Sequence, residues 1–194
     1  MMRIITGRAK GTKLFSPEGE ETRPTSERVK EAVFSMIQFD IESRSVLDLF
    51  AGSGQLGLEA VSRGAASAVF VEKSKQAASV VFANIRKTKS ENECALFNMD
   101  CAEYIRRNRG RKADIIFIDP PYASGLYAPT LRNLLENDMT KPTTLIIAES
   151  GTESIFGADS ELAGKFEVVK ATNYGKKTFI TILRPLAEEE QNER

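Results

Sequence analysis

The stretch "SVLDLFAGSGQLGLEA" (45–60) decides the fold. An apolar run ending at Phe50 gives way to Gly52, Gly54 and Gly57 in the spacing G-x-G-x-x-G, and apolar residues resume at helical spacing from Leu56. A buried strand that passes through a glycine turn into a helix is the opening unit of a doubly wound α/β sheet. The glycines let the backbone come close to a ligand, and the helix start at Gln55 favours a negative group. Glu72 ends the next apolar run about twenty residues on, where a carboxylate can accept bonds from both hydroxyls of a ribose.

Outward from this unit, similar runs recur. They are "SAVFVE" (67–72), "CALFNM" (94–99), "ADIIFI" (113–118), "TTLIIAE" (143–149), "FEVVKA" (166–171) and "TFITILR" (178–184). Helical spacing fills Leu56 to Ser62, Gln76 to Lys87, Ala102 to Arg107 and Tyr127 to Leu135. Continuous apolar strands alternating with helices predict a parallel sheet covered on both faces. Only "TNYGKK" (172–177) separates the last two runs, too short for a helical crossover, so they are expected to form an antiparallel hairpin at one end of the sheet. The expected fold is α/β and Rossmann-like, a seven-stranded, mostly parallel sheet with one antiparallel strand.

Ahead of the sheet, "RIITGRAKGTKLF" (3–15) reads as a β-hairpin around Gly7 and Gly11. In "RPTSERVKEAVFSMI" (23–37), Ser26 is the expected N-cap of a helix that puts Val29, Val33, Phe34 and Ile37 on one face. The predicted organisation is an arm over 1–22, a sheet domain over 23–186 and an unstructured acidic tail over 187–194.

Composition narrows the chemistry. The chain has 194 residues, 27 cations, 27 anions, two cysteines and no histidine. Serine–histidine and cysteine–histidine nucleophile schemes lack their base, and a structural zinc site lacks ligands. With no long apolar run, no signal-like apolar core and no disulfide framework, a cytoplasmic protein is expected. The zero net charge argues against indiscriminate adhesion to nucleic acid. Residues 1–13 nevertheless carry Arg3, Arg8, Lys10 and Lys13 with no acid, a basic stretch that suits a local phosphate contact.

Acids stand at the tips of the first three strands. Asp48 precedes the glycine loop, where a pyrophosphate would be repelled and an ammonium group attracted. Glu72 suits a ribose, and Asp100, after "ALFNM", suits an adenine amine. S-adenosylmethionine carries all three groups. At the fourth tip, "FIDPPYAS" (117–124) supplies acceptors and few donors. Pro120 and Pro121 have no N–H, Asp119 adds a charged acceptor, and Tyr122 offers a ring for a planar base. This set suits an exocyclic base amine that turns positive as it attacks a methyl group.

Taken together, the glycine loop, DPPY, "TRPTSERVKEAVFSMI", "FVEKS" and "NYGKKTFITILR" resemble the bacterial rRNA small-subunit methyltransferase D family, within the class I S-adenosylmethionine-dependent amino-methyltransferases, from Met2 to Arg184. The resemblance implies methylation of the N2 amine of one guanine in 16S rRNA, within the small ribosomal subunit or its precursor, with no membrane and no metal. Carried over by position, Asp119, Pro120 and Tyr122 hold the target base. Asp48, Gly52, Gly54, Glu72 and Asp100 line the cofactor site, flanked by Phe50, Ser53, Lys73 and Cys101, the last meeting adenine through its backbone. Arg23 and Thr25 would close over cofactor or substrate, and Arg8, Lys10, Lys13 and Pro121 would meet RNA. Gln55 stands where relatives often have a small residue. The alternative is a DNA adenine-N6 or cytosine-N4 amino-methyltransferase, though the chain has no room for a large target-recognition region. A nicotinamide oxidoreductase leaves Asp48 and DPPY unexplained. "RRNRGRK" (106–112) precedes the fourth strand and reads as a solvated helix end.

Overall fold

A computed structural model describes residues 2–17, 27–121, 125–175 and 177–187. Arg23, Thr25, Ser26 and Tyr122 therefore lie outside the described residues, as does most of the acidic tail.

The elements follow in the order α1 (Glu27–Met36), β1 (Ser45–Asp48), α2 (Gln55–Ser62), β2 (Ser67–Val71), α3 (Lys75–Lys87), β3 (Cys94–Phe97), α4 (Cys101–Arg107), β4 (Ile115–Ile118), α5 (Tyr127–Glu136), β5 (Leu145–Ser150), α6 (Ser160–Ala163), β6 (Phe166–Asn173) and β7 (Phe179–Pro185). The strands form a seven-stranded sheet in the order β3-β2-β1-β4-β5-β7-β6. β7 runs antiparallel to both β5 and β6, and the short β6–β7 link forces the second of these pairings. Every residue of β4 and β5 is buried, which explains runs as uniformly apolar as "IIFI". The edge strand β3 is only partly covered.

Contacts divide the chain into two compact units, one ending at Cys101 and the other beginning at Ala102. In the first, β1 pairs parallel with β2 and β2 with β3, so Asp48 lies level with Phe70 and Val71 with Phe97. All the carboxyl ends of these strands therefore share one edge. The third glycine of the loop serves packing, since a Cβ on Gly57 would stand 2.4 Å from the Phe70 ring. On α1, Val29, Val33, Phe34 and Ile37 are buried as their spacing predicts. Lys30 is buried with them, at 1% exposure.

The arm belongs to this unit's core, with Ile4 fully buried and Leu14 nearly so. It pairs through a single antiparallel bridge, Arg3 with Lys13, in place of two full strands. Helix α2 accounts for the shortfall by capturing the arm's donors. The Glu59 carboxylate takes the N–H groups of Ile5 and Thr6 at 2.7 and 3.0 Å, and Ser62 takes those of Arg8 and Ala9 at 2.8 and 3.0 Å. The approach is close enough to require glycine at position 7, where φ is +85° and a Cβ would lie 1.7 Å from the Ser62 carbonyl oxygen.

In the second unit, β4 and β5 run parallel with Ile118 level with Ala148. Asp159 caps α6 by accepting from the Leu162 N–H at 2.9 Å, and it also pairs with Arg132 of α5. Lys141 joins the turn before β5 to Asp114, just ahead of β4, at 2.6 Å. Of "RRNRGRK", Arg107 pairs with Glu103 along α4 and Lys112 with Asp138.

Candidate functional site

Asp48 closes β1 beneath the glycine loop, 1% exposed. Its Oδ2 accepts the N–H of Gly57 at 3.3 Å, while Oδ1 has no hydrogen-bond partner among the described residues. Burial pushes its carboxyl up to about 7, with Glu72 adding to the rise and the N–H groups of Gly57 and Phe50 opposing it. A buried acceptor left unmade costs about 1–3 kcal/mol. A ligand amine would remove that cost. Above Asp48, Gly52 takes φ +55° with open space where a Cβ would stand, and Gly54 takes φ +78° as the N-cap of α2. An amine-bearing ligand lying along a glycine cradle fits both observations, and S-adenosylmethionine has that shape.

Glu72, one residue past β2, already holds the loop together. Its Oε2 accepts from the Gly52 N–H at 2.8 Å and its Oε1 from the Ser74 N–H at 2.7 Å. Each oxygen retains a lone pair for a ligand hydroxyl. The Asn98 amide donates to the carbonyls of Glu72 and Lys73, fixing this turn against the end of β3. Lys73 reaches Asp100 at 3.3 Å, and buried Cys101 opens α4. These residues gather at the shared strand edge as expected. Phe50 is half-buried beside them. Ser53 faces elsewhere: its hydroxyl lies 3.0 Å from the Met2 sulfur and its carbonyl accepts from Asn84. Gln55 is buried at the start of α2.

In the second unit, β4 delivers a half-buried Asp119, a buried Pro120 and an exposed Pro121. Glu149 occupies the same level on β5, one past the Ile118–Ala148 pair, and is buried, its carbonyl accepting from the Tyr127 hydroxyl at 2.6 Å. Sequence reasoning passed over Glu149, although it ends its apolar run just as Glu72 does.

The arm differs most from expectation. A phosphate contact near the target base would need it at the strands' carboxyl edge, but its glycine turn lies against Ser62, at the far end of α2, and Glu93, just before β3. That is the edge where the strands begin. Arg8 donates to Glu93 at 2.6 Å and to Ser90, and Arg3 pairs with Glu27. Lys10 and Lys13 are exposed. Beneath the arm, Lys30 donates to the Arg3 carbonyl at 2.6 Å and lies 3.5 Å from Glu59, which also accepts from Arg63 at 2.8 Å. Burial lowers the Lys30 pKa, with Glu59 opposing.

Residues 2–183 match the family model described as conserved hypothetical protein 95. Ribosomal RNA small subunit methyltransferase D of Escherichia coli K12 is 35% identical over 153 residues, which cover 79% of this chain and 76% of the relative. The chain belongs to the ribosomal RNA small subunit methyltransferase D family. The family member from Haemophilus influenzae is 36% identical, over 77% of this chain and 78% of its own. Among solved structures, Escherichia coli yhhF superposes with TM-score 0.83 at 30% identity, covering 96% of this chain and 99% of that one. The family is one of methyltransferases with a Rossmann-like fold, and this chain is one of them. Among its described residues, no helix is long and apolar enough to cross a membrane.

Proposed function

We propose that the chain transfers a methyl group from S-adenosylmethionine to the exocyclic N2 amine of a guanine in 16S rRNA. The observation that carries the cofactor half is the buried Oδ1 of Asp48 beside the glycine cradle, without a hydrogen-bond partner among the described residues, since a pyrophosphate would worsen that charge and an ammonium would relieve it. When bound, S-adenosylmethionine supplies a methyl group made electrophilic by its sulfonium. Asp48 takes the ammonium, Glu72 the ribose hydroxyls, and Asp100 with the backbone of Cys101 the adenine. Phe50, Lys73 and the backbone from Gly52 to Gly54 complete the wall.

Asp119 and the Pro120 carbonyl accept the N–H bonds of the target amine, and Tyr122 stacks on its base. As the amine commits its lone pair, positive charge grows on nitrogen, and fixed acceptors already in place stabilise it. The Asp119 carboxylate is the first acceptor for the proton that nitrogen must then lose. The relatives' identity as small-subunit rRNA methyltransferases supports such an rRNA as substrate, and a strand tip rich in acceptors supports an amine as target. Arg23, Thr25 and Pro121, with the exposed Lys10 and Lys13, are the proposed contacts to the surrounding RNA.

Mapping of modified nucleosides in rRNA from cells with and without the protein tests this reading. One N2-methylguanosine should vanish from the small-subunit rRNA; an unchanged map overturns the assignment. Asp119→Ala should lower turnover by ~10²-fold or more and leave cofactor affinity nearly unchanged.

A further inference from the structure

Between Glu72 and Glu91 the chain carries Lys73, Lys75, Arg86, Lys87 and Lys89 and no acid. Most of this segment is α3, whose inner face, Ala77, Ala78, Val81 and Ile85, is buried. Lys75, Ser79, Phe82 and Arg86 recur at spacings of four, three and four, forming an exposed stripe on the other face. Among the described residues, Lys75, Arg86, Lys87 and Lys89 enter no ion pair, whereas Arg3, Arg8, Lys73 and Arg63 all do.

Two large apolar side chains stand in this polar setting. Phe82 is 56% exposed at mid-helix, and Phe15 of the arm, which meets the same helix at Asn84 and Lys87, is 50% exposed. Phe15 is fixed against α3, since the Asn84 amide accepts from its N–H at 2.8 Å and donates to its carbonyl at 3.0 Å. The Lys87 ammonium lies 3.9 Å from its ring centroid. The negative end of the helix dipole explains cations in the last turn. It does not explain Lys75 in the first turn, where the dipole opposes a cation, nor an exposed ring in the middle.

We infer that the outer face of α3, together with Lys13 and Phe15 of the arm, is an RNA-contact surface. Unpaired cations meet phosphates and the fixed or exposed rings stack bases, the combination that suits single-stranded or distorted RNA. The stripe starts just past Glu72 at the proposed cofactor edge and runs about 16 Å along the helix axis. This inference rests on the rRNA reading above.

The test uses small ribosomal subunits purified from cells lacking the protein. Wild type, Phe82→Ala and the triple variant Arg86→Ala, Lys87→Ala, Lys89→Ala are compared by binding at several salt concentrations, with methyl transfer and S-adenosylmethionine affinity alongside. The triple variant should lower the slope of log affinity against log salt by about 2. Phe82→Ala should weaken binding about five-fold or more with the slope unchanged. Cofactor affinity and melting temperature should not move in either. Wild-type slopes and affinities in both variants, with methyl transfer intact, overturn this surface while leaving the rRNA reading in place. A wild-type protein that neither binds nor methylates the subunits overturns the rRNA reading, and this surface falls with it.

Discussion

Glu59, inside α2, and Asp48, at the end of β1, are both almost wholly withdrawn from water, at 0% and 1% exposure. Around Glu59 every demand is met: two arm N–H groups, the Arg63 guanidinium and the Lys30 ammonium converge on one carboxylate. Around Asp48 one oxygen has a single N–H at 3.3 Å and the other has no partner among the described residues. A buried acid that serves the fold is saturated by the fold. One that serves a ligand keeps capacity in reserve, and the protein carries the cost until the ligand arrives.

The contrast predicts opposite outcomes for the two acids. Glu59→Ala strands Lys30 in the core and frees two arm N–H groups, so urea denaturation should show a loss of about 3–5 kcal/mol. A loss below about 1 kcal/mol would mean that the network is ornamental. Glu72 stands between the extremes, since each oxygen holds one backbone N–H and has room for another donor. Glu72→Ala should therefore weaken S-adenosylmethionine binding by ~1.5–3 kcal/mol by calorimetry, and it should also loosen the glycine loop. An effect on stability with none on affinity would class it with Glu59.

Asp48→Asn should leave the fold as stable as before or slightly more so, while cofactor affinity falls. The pH dependence sharpens this. The folded-state pKa of Asp48, about 7, stands above the ordinary 3.8. Between those values the folded chain holds a proton that the unfolded chain has lost. Its contribution to stability therefore falls as pH rises through that window and is level above it. Denaturation midpoints of Asp48→Asn should lack this decline. Conversely, wild-type cofactor affinity should rise as pH approaches 7 and Asp48 ionises, and the variant's should not. The smallest effect belongs to Arg8→Ala, which removes a half-exposed pair with Glu93 and should cost less than about 1 kcal/mol in a thermal melt.

The glycine loop, the strand tips and the β6–β7 hairpin were legible because each depends on local pattern. G-x-G-x-x-G sets its own turn, and an acid ending an apolar run announces its position. Lys30 and Glu59 were not legible, because a charge on an amphipathic helix ordinarily marks the solvent face and their pairing joins residues far apart in the chain. The arm's basic residues showed no acid nearby in sequence, yet Glu27 and Glu93 reach Arg3 and Arg8 through space. Its glycines predicted the turn correctly but not the edge on which the turn rests, which Ser62 and Glu59 decide. Phe82 read as one more apolar residue, and only its exposure sets it apart.

Arg8 meets Glu93 across 85 positions of sequence, and Phe15 meets Asn84 across 69. During synthesis the arm emerges well before its docking partners on α2, α3 and the approach to β3. The arm must therefore wait, unpaired, until the chain has been built through Glu93. Contacts that close such long loops also slow folding. A bulky N-terminal fusion, by hindering this late docking, should cost the protein more in folding yield than the arm's small size suggests.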